Sequence, residues 1–408
     1  MSRFDQYFCM NEKDAAEYAA QRLGIFAGCG PLECKEIGDG NINYVFRVRD
    51  PATGKSAIIK HSGVKTRSGG STLGFDHSRI EAEILQKEAQ YVPNLVPVVY
   101  DYDPVMSCMS MEDLSDHAIL RYELMKHKCF PRLADDISDF MAKTLLPTID
   151  AVMDAEEKKE AVKHFTNPPL CKITERLVYT EPYTNMSGKN KVYPANAGFV
   201  AQEIYGDKSL HLEAAKLKYQ FMNNAQALIH GDLHSGSIFV KADSTKVFDP
   251  EFAFYGPIGY DVGNMIGNMC FAWANATTTM KDRREMTEYV QWLDTTITDI
   301  VDLFREKFRS LFHEKATDRM AKIDGYCDWY VGTILSDSAG VAGLEMIRRT
   351  VGVAQVKDIT SIENESERKL AERIVLLCAK SFIMKRDSYV NGCDYVAELH
   401  STLQKLAC

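Results

Sequence analysis

The sequence lacks the paired cysteines of disulfide-rich or zinc-binding proteins and the long hydrophobic segments of exported or membrane-spanning proteins. Its 408 residues contain eleven cysteines but no Cys-x-x-Cys pair, so the pattern predicts neither a disulfide framework nor a structural zinc site and favours reduced thiols. The most apolar long stretch, Val262 to Met280, is interrupted by Asn264, Asn268 and Asn275, and the first residues contain no hydrophobic export segment. We therefore expect a cytoplasmic protein with no membrane-spanning segment.

The chain also lacks an excess of basic residues. Lys and Arg number 48 against 57 Asp and Glu, a net charge of −9, which disfavours attraction to a nucleic acid backbone. A small anionic ligand such as a nucleotide is compatible with this charge, because a few local donors and a metal ion are enough to hold phosphates. With 45% hydrophobic and 26% charged residues, the composition is typical of a water-soluble globular protein.

The first part of the chain has the pattern of a small sheet. Short apolar segments between Leu32 and Met111 predict strands, joined by turns rich in glycine and aspartate. Within this part, Asp76 can cap a helix that runs to about Gln90. The pattern indicates a compact lobe with one antiparallel sheet and one helix.

The second part of the chain has the pattern of helices. After Glu112, long amphipathic segments dominate and are interrupted by only a few short strand-like runs. The predicted fold class is α+β with two lobes, an N-terminal lobe over residues 1–113 and a mainly α C-terminal lobe over residues 114–408. A cleft between two such lobes is the expected ligand site.

A glycine-rich turn and a lysine that ends a strand indicate a phosphate site in the first lobe. The segment Gly38-Asp-Gly40-Asn-Ile-Asn43 resembles a phosphate loop, but Asn43 stands where a third glycine is expected and the turn joins two strands, which disfavours a dinucleotide-binding fold. A plain hairpin turn is the alternative. Lys60 ends an apolar strand, where Glu81 or Glu83 of the following helix can hold its ammonium group.

The sharpest cluster is His230-Gly-Asp232, in a loop between two apolar runs. An aspartate at the edge of a core can be held in one rotamer and act as a base toward a hydroxyl group. The alternative is a turn in which Asp232 or His230 satisfies backbone donors. His230 and His234 have the spacing of two zinc ligands on a helix, but the glycines around them disfavour that helix.

A second acidic turn follows seventeen residues after Asp232. Asp249-Pro250-Glu251 ends another short apolar strand, and the proline between the two acids restricts the backbone. Carboxylates spaced in this way present hard oxygen atoms to one point, as Mg²⁺ requires when it bridges phosphates. Alone, this tripeptide is an ordinary surface turn. Together with His-Gly-Asp it indicates phosphoryl transfer.

These motifs, in this order, resemble the protein-kinase-like fold of small-molecule phosphotransferases over about residues 32–265. Further segments are similar to the 5-methylthioribose kinase family and extend along most of the chain. They are residues 36–46, 165–168, 173–177, 249–257 and 347–350.

The resemblance implies ATP-dependent phosphorylation of the anomeric hydroxyl of 5-methylthioribose, a step of methionine salvage, by a homodimer. It implies that Asp232 is the catalytic base and contacts the sugar hydroxyl, with Arg348 and Arg349 on the substrate side. Two adjacent helical arginines usually include a solvated one, so the pattern does not say which contacts substrate. The residues implied to bind ATP or its Mg²⁺ are Gly38, Gly40, Asn43, Lys60, Glu81, Met111, Glu112, Asp113, Asp249, Pro250 and Glu251, with Asp249 and Glu251 as the metal ligands.

Three positions qualify the resemblance. Ser237 stands where many kinase-like enzymes have a metal-binding asparagine, and the loop 68–75 lacks the tryptophan associated with the family's mobile loop. Asp261 is expected to cap a helix or hold backbone rather than react. Two alternatives stay open: a related kinase of an aminoglycoside, choline or homoserine, and a nucleotide-binding scaffold without catalysis.

Overall fold

A computed structural model describes residues 2–38, 43–63 and 76–407. The chain forms two compact units. The first comprises Met1–His117 with Lys246–Ala253, and the second comprises Ala118–Thr245 with Phe254–Cys408. The predicted lobes, residues 1–113 and 114–408, meet at a single point of the sequence. The two units of the structure do not, because residues 246–253 group with the first unit. Gly40 and the loop 68–75 lie outside the described residues.

The first unit contains a five-stranded antiparallel sheet in the order β1-β2-β3-β5-β4. The strands predicted between Leu32 and Met111 are present, with ends shifted by a few residues. The elements are α1 (Glu12–Arg22), β1 (Glu33–Glu36), β2 (Asn43–Arg49), β3 (Ser56–Ser62), α2 (Asp76–Glu88), β4 (Val99–Asp103) and β5 (Cys108–Glu112).

The prediction of one helix in the first lobe is wrong, because α1 packs against β1 and β2 in addition to the predicted α2. Asn11 caps α1 in a capping box with Asp14. The buried face of α1 consists of Ala15, Tyr18 and Ala19, which join the core formed by the inner faces of β2 and β3. Two alanines and a tyrosine give a weak hydrophobic period, so the sequence alone did not distinguish this helix.

The second unit is mainly helical, as predicted. Two small sheets interrupt the helices: β7 pairs with β10 antiparallel, and β6, β8 and β9 form a three-stranded sheet in the order β6-β8-β9. The chain passes from the second unit into the first within β9. The elements are β6 (Ala118–Ile119), α3 (Leu120–Leu124), α4 (Leu133–Leu145), α5 (Ala155–His164), α6 (Pro168–Leu177), α7 (Glu181–Thr184), α8 (Ala197–Val200), α9 (Lys208–Asn223), β7 (Ala227–Ile229), β8 (Ile238–Lys241), β9 (Ser244–Val247), β10 (Phe254–Gly256), α10 (Gly259–Thr279), α11 (Arg283–Lys315), α12 (Tyr326–Val351), α13 (Lys357–Thr360), α14 (Glu365–Met384) and α15 (Gly392–Ala407).

Helix α10 forms the centre of this unit and is buried from Gly259 to Ala276. It packs against α11, α12 and α14. A Cβ atom at Gly263 would lie 2.5 Å from the carbonyl oxygen of Ser338, so only glycine lets the backbones of α10 and α12 approach this closely. The pairing therefore fixes the position of α12 relative to α10.

Among the described residues, none of the helices is long and apolar enough to cross a membrane. The stretch that looked most apolar in the sequence is the buried helix α10. The ten cysteines within the described ranges are all free thiols, as expected from the absence of paired spacing.

Candidate active site

In the first unit, Lys60 stands at the centre of an acidic cluster. Its Nζ donates hydrogen bonds to Glu81 Oε1 at 2.6 Å and to Asp249 Oδ1 at 2.5 Å. Strand β3 supplies Lys60 and helix α2 supplies Glu81, so Glu81 is the helix partner that the sequence left undecided between two positions. Asp249 and Glu251 come from the segment that follows β9. The structure thus brings together four predicted ATP-binding residues, Lys60, Glu81, Asp249 and Glu251.

The charges of this cluster do not balance. Burial acts to lower the pKa of Lys60, but the carboxylates of Asp249 and Glu81 outweigh it and raise that pKa. Burial also raises the pKa of Glu81 to about 7 against the opposing effect of Lys60, and Asp249 raises it further. The cluster holds one ammonium group among three carboxylates, and it therefore favours an additional cation.

The donor set fits a divalent metal ion. One oxygen from each of Glu81, Asp249 and Glu251 lies within 4.8 Å of the others. Carboxylate oxygens are the ligands that hard divalent cations prefer. Asp249 is 37% exposed at its side chain, whereas Glu81 is 2% exposed and already holds Lys60. Asp249 and Glu251 are therefore better suited than Glu81 to bind an ion that arrives with a nucleotide.

The backbone of Asp249 has an uncommon conformation. Its φ is 71°, in the left-handed region that residues other than glycine seldom adopt and in which asparagine, aspartate and histidine are the most frequent of them. Such conformations cost about 1–3 kcal/mol and persist where the surrounding structure enforces them, often at functional sites. Pro250 follows directly and is buried, and its carbonyl oxygen accepts a hydrogen bond from the Ala253 backbone at 3.1 Å. The turn presents Asp249 to Lys60.

The predicted phosphate turn is partly described. Asn43 opens β2 and is buried, and its Nδ2 donates to Glu251 Oε2 at 3.4 Å while its Oδ1 accepts from Ser62 Oγ at 3.0 Å. Asn43 therefore joins the acidic cluster. Gly38 lies just after β1, where a Cβ atom would come within 2.8 Å of the Val45 side chain.

The predicted adenine segment ends β5. Met111 is buried in the sheet, and Glu112 Oε2 accepts hydrogen bonds from the Val98 backbone at 3.1 Å and from Lys246 Nζ at 3.4 Å. Asp113 lies 3.2 Å from the guanidinium of Arg47. The side chains of Glu112 and Asp113 thus hold the segment in place.

In the second unit, His230, Gly231 and Asp232 follow β7. The Asp261 carboxylate on α10 accepts the backbone N–H groups of His230 at 2.7 Å and of Gly231 at 3.0 Å. Gly231 has a φ of 79°, which glycine adopts without strain. This confirms that Asp261 holds backbone, and burial raises the pKa of its carboxyl.

The Asp232 side chain is 28% exposed and lies near two nitrogen-containing groups. His234 Nε2 is 3.4 Å from Asp232 Oδ2, and Arg348 Nη2 is 3.8 Å from Asp232 Oδ1. Burial and the charge of Arg349 lower the pKa of His234 well below its usual value, so this histidine is neutral near pH 7. Ser237 Oγ donates to the Asp232 backbone oxygen at 2.7 Å. Ser237 therefore braces the loop.

Arg348 and Arg349 are both largely shielded from solvent, against the expectation that one of two neighbours is solvated. Their side chains are 10% and 12% exposed, and both bind the carboxylate of Glu345, one turn earlier on α12. Glu345 is 1% exposed. Burial acts to raise its pKa, but Arg348 and Arg349 outweigh that effect and lower it. Of the two arginines, Arg348 is the one whose guanidinium lies within 4 Å of an Asp232 oxygen.

Glu345 and its partners are functional candidates that the sequence analysis missed. Asn268 Nδ2 donates to Glu345 Oε1 at 3.3 Å, and Asn268 Oδ1 accepts from Ser235 Oγ at 2.9 Å. Arg121 Nε donates to the same serine hydroxyl at 3.2 Å and lies 3.5 Å from Asp358. A buried polar network therefore runs from the arginine pair to the loop after Asp232. An acid three and four residues before two arginines on an otherwise apolar helix is the signal that could have indicated it.

A scan against family models identifies the phosphotransferase enzyme family over residues 159–289. This range contains Asp232, Asp249 and Glu251. Together with the antiparallel sheet of the first unit and the helices of the second, the match confirms the predicted α+β, protein-kinase-like fold class.

Proteins of known name extend the similarity to nearly the whole chain. A methylthioribose kinase from Erwinia tasmaniensis is 37% identical over 406 residues, covering 98% of each chain. Another from a Geobacillus species is 39% identical over 384 residues, covering 94% of this chain and 93% of that one. Among solved structures, a choline kinase from Cryptosporidium parvum Iowa II matches with a TM-score of 0.47 at 11% identity over 96% of each chain. At 37–39% identity over almost its full length, the chain belongs to the methylthioribose kinase family.

Proposed function

We propose that this protein transfers the γ-phosphoryl group of ATP to the anomeric hydroxyl of 5-methylthioribose, giving 5-methylthioribose 1-phosphate and ADP in methionine salvage. The observation that carries the proposal is the cluster in which Lys60 binds both Glu81 and Asp249. A lysine held by a helix glutamate beside an acidic metal-binding turn is the arrangement with which protein kinases position ATP for phosphoryl transfer. Membership in the methylthioribose kinase family supports the acceptor.

Asp232 is the proposed base. The anomeric oxygen attacks the γ-phosphorus, the bond from that phosphorus to the β,γ-bridging oxygen breaks, and the hydroxyl proton passes to Asp232 Oδ1 or Oδ2. The two backbone N–H bonds donated to Asp261 and the Ser237 hydrogen bond fix the loop, so the Asp232 carboxylate needs little reorganisation. His234 beside Asp232 is neutral and adds no positive charge to the site.

Arg348 supplies counter-charge on the acceptor side. Its guanidinium lies 3.8 Å from Asp232, close enough to bind an oxygen of a group held at that base. Arg349 lies 3.1 Å from Glu345, and of the two arginines Arg348 is the one within 4 Å of an Asp232 oxygen, so we assign substrate contact to Arg348 and support of Arg348 to Arg349.

On the nucleotide side, Lys60, Asn43, Gly38 and Gly40 are proposed to bind ATP phosphates. Met111, Glu112 and Asp113 are proposed to bind the adenine. Asp249 and Glu251, held by Pro250, are proposed to bind Mg²⁺, which neutralises phosphate charge when bound. The three carboxylates around Lys60 support this assignment because they carry more negative charge than one ammonium compensates.

The acceptor is tested by ADP release with Mg·ATP and a panel of 5-methylthioribose, ribose, choline, homoserine and kanamycin. We expect release with 5-methylthioribose at a rate at least 10²-fold above the others, because a site built for one set of hydroxyl groups rejects acceptors that leave its polar groups unpaired. Release only with choline or kanamycin would refute the acceptor and keep the fold. Nucleotide binding without release for any acceptor would refute catalysis.

The base is tested by Asp232→Asn. We expect kcat to fall by roughly 10²- to 10⁴-fold, the usual contribution of a positioned base. Asp243→Asn is the matched control. It replaces an aspartate by an asparagine in the same way, but in an exposed turn between β8 and β9. Near-normal kcat in Asp232→Asn would show that another group accepts the proton.

A cytoplasmic homodimer is also proposed, with no nucleic acid partner, in line with the family resemblance and the net charge of −9. Sedimentation of the full chain at micromolar concentration tests the dimer. A single monomeric species over the whole concentration range would contradict it.

A further inference from the structure

The second unit has a groove of about 1120 Å³ that the proposed reaction does not use. Helices α9 and α12 line it, with Tyr219 and Asp337 among the residues that face it. Asp337 and Arg348 are eleven residues apart on α12, which is about 16 Å along the helix axis. The groove is therefore separate from the Asp232 loop.

Aromatic rings form one side of this groove. The ring centroids of Tyr326 and Trp329 are 5.3 Å apart at 64°, and those of Tyr326 and Tyr330 are 6.1 Å apart and stacked. Behind them, Phe308 and Phe312 are buried and stack on Tyr330 and Tyr326. The aromatic side is thus fixed by packing, while Trp329 remains 61% exposed. A fixed aromatic face open to solvent is suited to bind an apolar or cationic group.

The groove presents one acidic side chain, Asp337, that has no salt-bridge partner among the described residues. Asp337 has no hydrogen bond or ion pair with a described residue, and burial raises its pKa to about 6 despite the charge of Arg386. The two basic residues that line the groove, Lys216 and Arg386, are each paired with Glu213, at 2.6 and 2.5 Å. The carboxylate therefore faces the groove without a cation of its own. An unpaired carboxylate in a partly buried site is stabilised by a ligand that brings a charge-assisted hydrogen bond.

A second carboxylate of the groove, that of Asp387, adds to this charge, whereas the Asp150 carboxylate lies 3.6 Å from Lys158 and 3.9 Å from Lys159 and is compensated by them. The Asp387 carboxylate accepts a hydrogen bond from Ser336 Oγ at 2.6 Å, which is a neutral partner and leaves the negative charge uncompensated. An anionic ligand would meet this charge at close range.

We infer that this groove binds a small organic cation, with a primary ammonium group on Asp337 and an apolar or aromatic body on Trp329 and Tyr330. The ammonium supplies the donors that the carboxylate lacks, and the body covers the exposed indole. A neutral molecule of the same shape loses the ion pair, and an anion adds repulsion.

Isothermal titration of the full chain tests the inference with three matched probes: 2-phenylethylammonium, 2-phenylethanol and 3-phenylpropionate. We expect saturable binding of the cation to one site, at least tenfold weaker binding of the alcohol, and no heat with the carboxylate. In Asp337→Asn the affinity for the cation should fall at least fivefold. Asp328→Asn is the control. Asp328 lies on the same helix as Asp337 but pairs with Arg309 on the surface, so this variant should bind the cation with the affinity of the unchanged protein.

A second variant keeps the test independent of folding. Trp329→Leu alters only an exposed ring and should also weaken the cation at least threefold, with an unchanged melting temperature. Equal binding of the cation and the alcohol, or unchanged affinity in Asp337→Asn, would overturn the inference. If a second copy of the chain covers the groove instead, the cation will not bind and Trp329→Leu will shift sedimentation toward monomer, which also overturns it. ADP release is measured separately, so failure here leaves the proposed function standing.

Discussion

Glu345 is a positioning residue whose replacement should separate stability from catalysis. The change Glu345→Gln keeps the shape of the side chain and removes its negative charge. Arg348 and Arg349 then remain buried with no carboxylate between them, and breaking a buried ion pair of this kind costs about 3–5 kcal/mol. The nearest remaining acid is Asp232, 3.8 Å from Arg348.

The expected effect on the reaction rate follows from the attraction between Arg348 and Asp232. At 3.8 Å and an effective dielectric constant of 20, one guanidinium and one carboxylate attract each other by about 4 kcal/mol. Released from Glu345, the Arg348 guanidinium should therefore move onto Asp232 and occupy the base. A misplacement of about 1 Å at a reacting group costs about 10²-fold in rate. We expect kcat/KM for 5-methylthioribose to fall about 10²-fold, with kcat affected more than KM.

Glu372→Gln is the matched control. Glu372 is also a buried glutamate of the second unit, 2% exposed, paired with Arg368 at 3.1 Å and with Asn196 at 2.9 Å. It makes no contact with the arginine pair. Both variants should lose stability in urea unfolding by similar amounts, whereas only Glu345→Gln should lose activity in the ADP-release assay. Equal kcat/KM in the two variants would show that Glu345 serves the fold alone and would refute the reasoning.

Three further predictions concern single residues. Lys60→Met should lower kcat about 10²-fold, the usual effect of losing one fixed charge donor, in ADP release at saturating substrates, and unchanged kcat would remove Lys60 from the nucleotide site. Gly263→Ala should destabilise by about 1–3 kcal/mol in thermal unfolding because its methyl group meets the Ser338 backbone, whereas Gly332→Ala in the same helix pair has free space and should stabilise by up to about 1 kcal/mol; equal effects would contradict the close approach. Burial raises the pKa of Asp358 to about 6, so the folded state favours its protonated form and stability should fall by roughly 2–3 kcal/mol as pH rises from 4 to 7. Asp358→Asn should flatten that dependence in urea unfolding, and an unaltered slope would refute it.

The sequence predicted the elements that carry their own pattern. Apolar runs that end in charged residues indicated β3 with Lys60 and the turn with Asp249. In the structure β3 continues two residues past Lys60 to Ser62, and Asp249 lies two residues after the end of β9. The helix partner of Lys60 was narrowed to two glutamates, because helix periodicity does not fix which of two nearby positions faces a strand. The structure selects Glu81.

Other features depend on tertiary contacts that no local pattern contains. Asn43 and Glu251 are 208 residues apart in the chain and still within hydrogen-bond distance. Glu345 lies in a helix rich in small residues, where a single acid usually indicates a solvent-facing position, and only the packing of α12 against α10 buries it. The positive φ of Asp249 could not be predicted from the residue type, because aspartate tolerates the left-handed region without requiring it.

The contact between α10 and α12 governs more than packing. Asp261 and Asn268 on α10 accept hydrogen bonds from the loop around Asp232, while α12 carries Glu345 and Arg348. Because main chain touches main chain where these helices cross, there is no compressible layer of side chains between them to take up thermal motion. The distance between Asp232 and Arg348 should accordingly change little with temperature.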